Sequence, residues 1–239
     1  MARNPEKGQE DAPLHIAIIP DGNRRWSREH RLGLVRGYSV GIQKIVDLCL
    51  WAKSQGVRTL SVWALSTENV HNRSRHELSL LYSLYTRAAR DKALLKKLRD
   101  NQARIRVIGN MSMLPKRLRE ALRSLEMQTS MYKRLSINLL VGYGGRDDII
   151  YAARSLAAQG IAGRRIDNRS LEASLRTAEV PDVDLIIRTS GERRLSGFLP
   201  WQSNYSELYF ARKYWPDFGK EDLKRAIDTY NRRQRRFGR

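Results

Sequence analysis

Three short polar clusters carry the residue types that anion chemistry needs, and each follows an apolar run directly. The first, Asp21-Gly22-Asn23-Arg24-Arg25-Trp26, places a carboxylate, a glycine, an amide and two guanidiniums in one stretch. Glycine lets the backbone approach phosphate oxygens, arginine binds phosphate bidentately and aspartate can hold a divalent ion. A helix beginning after such a loop would add free N–H groups. The combination suits a diphosphate, although the hexapeptide alone reads equally well as a salt-bridged surface turn. The second cluster, Ser66-Thr67-Glu68-Asn69, again closes an apolar run. Its bland alternative is an N-cap for a helix beginning near Glu77, a role for which Ser74 is better placed. In the third cluster, Arg188, Arg193 and Arg194 accompany Thr189, Ser190, Glu192 and Ser196 after the apolar run that starts at Asp184, which resembles a second anion pocket. Glu207 then offers a further carboxylate able to return to a metal.

The elements that must position these clusters alternate. Short β-rich runs at 14–19, 57–65, 103–108, 135–141 and 183–187 are separated by helical patterns such as Ile42, Ile45, Val46, Cys49 and Leu81, Leu84, Tyr85, Ala88. This order predicts an α/β fold, a single domain with a central mostly parallel sheet flanked by helices and its ligands at the carboxyl ends of the strands. A closing helix carries Leu223, Ala226, Ile227 and Tyr230 on one face, followed by a basic run to Arg236. Residues 1–13 are expected to form a flexible N-terminal segment ahead of a domain over 14–239.

With 239 residues and 41% hydrophobic content, the chain can bury a core without staples. No apolar run reaches the length of a membrane-spanning helix, so a cytoplasmic protein is expected, with peripheral membrane association left open. The lone cysteine, Cys49, falls at core spacing. Lys and Arg outnumber Asp and Glu by 45 to 25, a formal charge of +20 that attracts nucleic acid, anionic lipid and small diphosphates alike. Neither zinc-finger spacing nor the aromatic strand pattern of an RNA-recognition sheet is present, which makes a nucleic-acid binder the minor alternative and no nucleic-acid partner is expected.

In their order and content the three clusters closely resemble those of the cis-prenyltransferases, the undecaprenyl and dehydrodolichyl diphosphate synthases. The resemblance runs from His15 to Gly238 and rests on Asp21 to Trp26, Ser66 to Asn69, and Asp184 to Ser196 continuing to Glu207-Leu-Tyr-Phe210. It implies Mg²⁺-dependent condensation of isopentenyl diphosphate with an allylic prenyl diphosphate, such as farnesyl or geranylgeranyl diphosphate, by a homodimer. Asp21 would then bind the metal, with Gly22, Asn23, Arg24 and Arg25 cradling the allylic diphosphate and Trp26 helping to wall the site. Ser66 and Asn69 would lie near the reacting carbons, supported by Glu68, with Asn69 orienting groups for proton removal. Arg188, Arg194 and Ser196 would hold isopentenyl diphosphate, and Glu207 would be the second metal-site carboxylate. The terminal Arg236-Phe237-Gly238 is similar to a family tail that reaches substrate across the dimer.

The chain departs from the family pattern in places. Gly37-Tyr38 replaces the usual Gly-His, exchanging an imidazole contact to diphosphate for a phenol. The arginine usual just before that pair aligns with Leu34, leaving Arg31 or Arg36 to substitute. Val70 stands where an aromatic is common, and the arginine that follows shifts to Arg73. The helix with Leu78, Leu81, Leu84, Tyr85 and Ala88, together with Leu139, could line a channel for the growing hydrocarbon, though most of these residues read as ordinary core. A noncatalytic partner subunit would have no need for all three clusters, which are present together.

Overall fold

The computed structural model describes residues 13–161 and 163–232. Residues 1–12, where the flexible segment was expected, and the tail containing Arg236 and Gly238 lie outside them. The first apolar run forms β1 (His15–Ile19), buried throughout, and leads into α1 (Asn23–Glu29) and α2 (Leu34–Ser54). The second forms β2 (Thr59–Ser66), followed by α3 (Thr67–Asn72), α4 (Arg75–Ala89) and α5 (Lys92–Asp100). Then come β3 (Ala103–Ile108), α6 (Lys116–Thr129), β4 (Leu135–Tyr143), α7 (Gly145–Ala158) and α8 (Asn168–Ser174). The chain continues through β5 (Leu185–Arg188) and β6 (Glu207–Phe210) to α9 (Lys220–Arg232). The five strands read from the sequence are present, and β6 is an addition to them.

The strands form one sheet in the order β3-β4-β2-β1-β5-β6, with every pairing parallel. Parallel strands need crossovers that cover both faces, which explains why β1 and β5 are apolar without alternation. One face packs Ile16, Leu60 and Ile187 against Leu48 and Cys49 of α2 and the Leu223–Ile227 face of α9. The other packs Ala17, Trp63 and Tyr143 against Phe198, with the Trp63 and Phe198 rings stacked at 5.0 Å. Cys49 is fully buried and burial pushes its thiol up to about 12, so it fills space. No helix among the described residues is long and apolar enough to cross a membrane.

The chain leaves β1 towards β2 on one side and β5 towards β6 on the other. The crevice at the carboxyl ends of β1 and β5 is therefore a switch point of the topology, where open parallel sheets bind ligands.

At the opposite end, His15 is 2% exposed. Its Nδ1 lies 2.9 Å from the Pro181 carbonyl oxygen and so carries the proton, leaving Nε2 to accept from Ser61 Oγ at 2.9 Å. Burial lowers its pKa to about 4, whereas the unfolded chain titrates near the ordinary value of 6.5. The native state thus binds fewer protons than the unfolded one between these values. Stability is expected to be intact above pH 6.5 and to fall by about 1.4 kcal/mol per pH unit down to about pH 4. Urea midpoints measured across this window should show the slope in the wild type and lose part of it in His15→Gln.

Candidate active site

The loop after β1 turns at Gly22, whose φ of 101° favours glycine and whose absent Cβ would come within 2.6 Å of the Tyr214 ring. The turn directs Asp21 into the switch-point crevice. There Asp21 Oδ2 accepts from Arg188 at 2.9 Å, and Oδ1 lies 3.6 Å from an Arg25 nitrogen. Arg188 ends β5 and is 5% exposed. Its guanidinium also donates to the Arg194 carbonyl at 2.6 Å and to Ser196 Oγ at 3.0 Å, while Nε has no partner. Arg25 donates to Ser190 Oγ at 2.6 Å and to Glu192 at 3.1 Å, and Glu192 accepts in turn from Arg194 at 2.6 Å. The first and third clusters thus form one network in which Arg25, Arg188 and Arg194 surround two carboxylates, Asp21 and Glu192.

The loop after β2 completes the crevice. Ser66 Oγ accepts from the Asn69 backbone N–H at 3.0 Å and caps α3, while Ser74 caps α4. Ser66 therefore does cap a helix, but a short separate one that sets Asn69 on the cavity wall. The Asn69 carboxamide has no hydrogen-bond partner among the described residues. Behind Tyr38, Arg24 and Arg73, which line the cavity, Glu77 is 6% exposed and gathers these three neighbours. Its carboxylate accepts from Tyr38 OH at 2.6 Å and lies 3.3 Å from Arg73 and 3.8 Å from Arg24. Arg73 also donates to the Tyr38 oxygen at 3.0 Å. Burial raises the Tyr38 phenol well above its usual range, so it stays a neutral hydroxyl. A Cβ at Gly37 would collide with Ser27 Oγ, and this bare contact brings α1 onto α2 beside Tyr38.

These groups border a cavity of about 450 Å³ whose far wall is apolar: Ile42, Ile45, Ala64 and Tyr85. The same four side chains line a deeper chamber of about 70 Å³ enclosed by Ala88, Leu139 and other aliphatic residues, which holds almost no polar surface. A cationic mouth with a dry extension suits an amphiphile with an anionic head.

The model of the undecaprenyl diphosphate synthase family of prenyltransferases matches residues 19–238. The chain belongs to that family. It is similar to the geranylgeranyl-diphosphate-specific tritrans,polycis-undecaprenyl-diphosphate synthase of Methanopyrus kandleri, 42% identical over 95% of this chain and 85% of that protein. It is also 39% identical to the isoprenyl transferase of Thermus thermophilus, over 95% of this chain and 89% of that one. Among solved structures, lavandulyl diphosphate synthase from Lavandula x intermedia, in complex with dimethylallyl diphosphate, superimposes with a TM-score of 0.90 at 36% identity. That match covers 95% of this chain and 99% of the other.

In this prenyltransferase the structure gathers Asp21, Asn23, Arg24, Tyr38, Ser66, Glu68, Asn69, Arg73, Arg188 and Ser196 around the cavity, and Gly22 and Arg25 join them in an adjoining recess. Two expectations need correction. Trp26 does not wall the site: it lies on the side of α1 facing Asp217, to which its Nε1 donates at 2.8 Å, and stacks on His30 at 4.4 Å. Glu207 does not join Asp21 within one chain. It opens β6 opposite Leu185, three residues before Phe210 pairs with Arg188, which sets it roughly 10 Å along the strands from the crevice. The Arg194 side chain is exposed and tied to Glu192 and does not border the cavity, so its link to the site is its carbonyl, which accepts from Arg188.

Neither Arg31 nor Arg36 borders the cavity in place of the missing arginine. Of the residues expected along a channel, Tyr85 and Ala88 of α4 and Leu139 of β4 line the chamber, Leu81 is core, and Leu78 and Leu84 face an outer groove. Sequence reasoning missed Glu77 and Arg28. The only signal for Glu77 was its place four residues after Arg73, and Arg28 borders the recess because it continues the Arg24 face of α1.

A family magnesium ion fits these residues in one way. Among the described residues no cluster of three or more His, Cys, Asp or Glu could cage a metal. Mg²⁺, however, commonly takes one or two carboxylates and completes its shell with substrate phosphate and water. Asp21 is a partly exposed carboxylate at the cavity, and beside it Asn23 Oδ1 is a buried acceptor without a partner, suited to a bound water of such a shell.

Proposed function

We propose that this chain lengthens an allylic prenyl diphosphate with isopentenyl diphosphate to give a Z-polyprenyl diphosphate, with Mg²⁺, as a homodimer. The observation that carries this reading is the adjacency of the cationic cavity and the apolar chamber, which share Ile42, Ile45, Ala64 and Tyr85 as walls. Asp21 would hold the ion, which when bound neutralises charge on the departing diphosphate. Arg24 and Arg25 flank the allylic diphosphate as its C–O bond breaks, fixed cations that need no reorganisation at that moment. Arg188 and Ser196 hold isopentenyl diphosphate so that its double bond faces the allylic carbon and forms the new C–C bond. Asn69, with its amide unengaged, orients the condensed intermediate. Loss of a proton then closes the cis double bond, and the released diphosphate accepts that proton.

The names of the relatives make geranylgeranyl diphosphate the first primer to test. Purified protein with labelled isopentenyl diphosphate is expected to form extractable prenyl products with Mg²⁺ and none with EDTA. Product formed equally in EDTA would remove the metal, and no product with any primer would remove the reaction. Chain length supplies a further expected result. Ala88 lines both the chamber and the outer groove, so Ala88→Phe should obstruct the passage between them. Chromatography should then show shorter products with initial condensation largely retained, whereas an unchanged length distribution would mean that the chain does not run past Ala88.

A further inference from the structure

Three cavities lie in series on the α2 side of the sheet. Beyond the chamber, Ile42 and Ala88 also line an open groove of about 1200 Å³ between α2, α4 and the start of α6. Its floor is apolar, formed by Ile42, Leu78, Leu84 and Leu118. Arg75, Arg87, Arg90 and Arg117 border it, and all four are exposed. None of these guanidiniums has an ion pair or hydrogen bond among the described residues, and what sets them apart from other exposed arginines is that they ring one apolar floor. Asp91, the one acid lining the groove, is already engaged as the N-cap of α5, accepting from Ala93 N at 2.8 Å.

The spacing argues against a single small anion. Arg75 and Arg90 stand at the two ends of α4, about 22 Å apart at 1.5 Å per residue. Unpaired cations spread over that length around an apolar floor complement a surface in which acidic groups overlie hydrocarbon. We propose that this groove docks the protein on an anionic lipid bilayer. The hydrocarbon end of the product then passes from the chamber towards the acyl chains while its diphosphate stays at the polar mouth. The passage of product rests on the catalytic reading above, but the docking is measurable without substrate.

The test is co-sedimentation with phosphatidylcholine vesicles, with and without phosphatidylglycerol, comparing two variants that each lose four positive charges. One carries Arg75→Gln, Arg87→Gln, Arg90→Gln and Arg117→Gln. The control carries Arg154→Gln, Arg164→Gln, Arg165→Gln and Arg169→Gln, at exposed positions on and near α7 and α8. The wild type should bind the phosphatidylglycerol vesicles, the groove variant at least tenfold more weakly, and the control nearly as well as the wild type. Equal loss in both variants would assign binding to the net charge of +20 and overturn the proposal. Full binding by the groove variant, or none by the wild type, would overturn it too. The expected pattern from a wild type that makes no prenyl product would support the docking and count against the catalytic reading alone.

Discussion

Asp21→Asn is expected to lower turnover on the order of 10³-fold while leaving the fold intact, and the choice of asparagine is what makes the result interpretable. The carboxylate does two jobs: it is the acceptor for the buried Arg188 guanidinium at 2.9 Å, and it is the only Asp or Glu in the network joining the first and third clusters that faces the cavity. Alanine would remove both and strand a buried cation, at a cost on the order of 1–3 kcal/mol. Asparagine retains an acceptor for Arg188 but no longer neutralises a metal ion. Raising Mg²⁺ should partly restore Asp21→Asn if the lost function is cation binding. A thermal midpoint near the wild type together with near-wild-type turnover would refute the metal role.

Arg188→Lys should be nearly as damaging even though charge is conserved, with kcat/KM for isopentenyl diphosphate falling on the order of 10²-fold. One planar guanidinium now reaches Asp21, the Arg194 carbonyl and Ser196 Oγ at once, from a side chain that is 5% exposed. A lysine ammonium is a point donor and cannot span both the β1 loop and the loop after β5. The loss should fall mainly on KM for isopentenyl diphosphate and less on KM for the allylic primer. Steady-state kinetics with each substrate varied in turn would show it, and an equal rise in both constants would mean that Arg188 organises the whole crevice.

The sequence made the sheet legible because its central strands are buried on both faces and so read as unbroken apolar runs, and the residues following β1, β2 and β5 point to where the loops converge. What it concealed was direction and partnership. Trp26 adjoins the loop in sequence, but the pitch of α1 turns it towards Asp217. Glu207 opens a strand of only four half-buried residues, too short to read as an apolar run, and only the pairing register reveals which end of the sheet it occupies. Glu77 looks like a surface helix residue until α1 and α2 bring Arg24 and Tyr38 onto it. Its role is a property of packing between helices distant in the chain, which no local pattern records.

The pairing of Asp21 with Arg188 joins positions 167 residues apart. A nascent chain therefore exposes its first cluster long before the strand that neutralises and aligns it has been made. Competence is expected only when the last third of the polypeptide docks against the first, so fragments ending before β5 would carry the Asp21 side of the crevice without its Arg188 side. Catalysis in this architecture doubles as a report that β5 has been made and has docked beside β1.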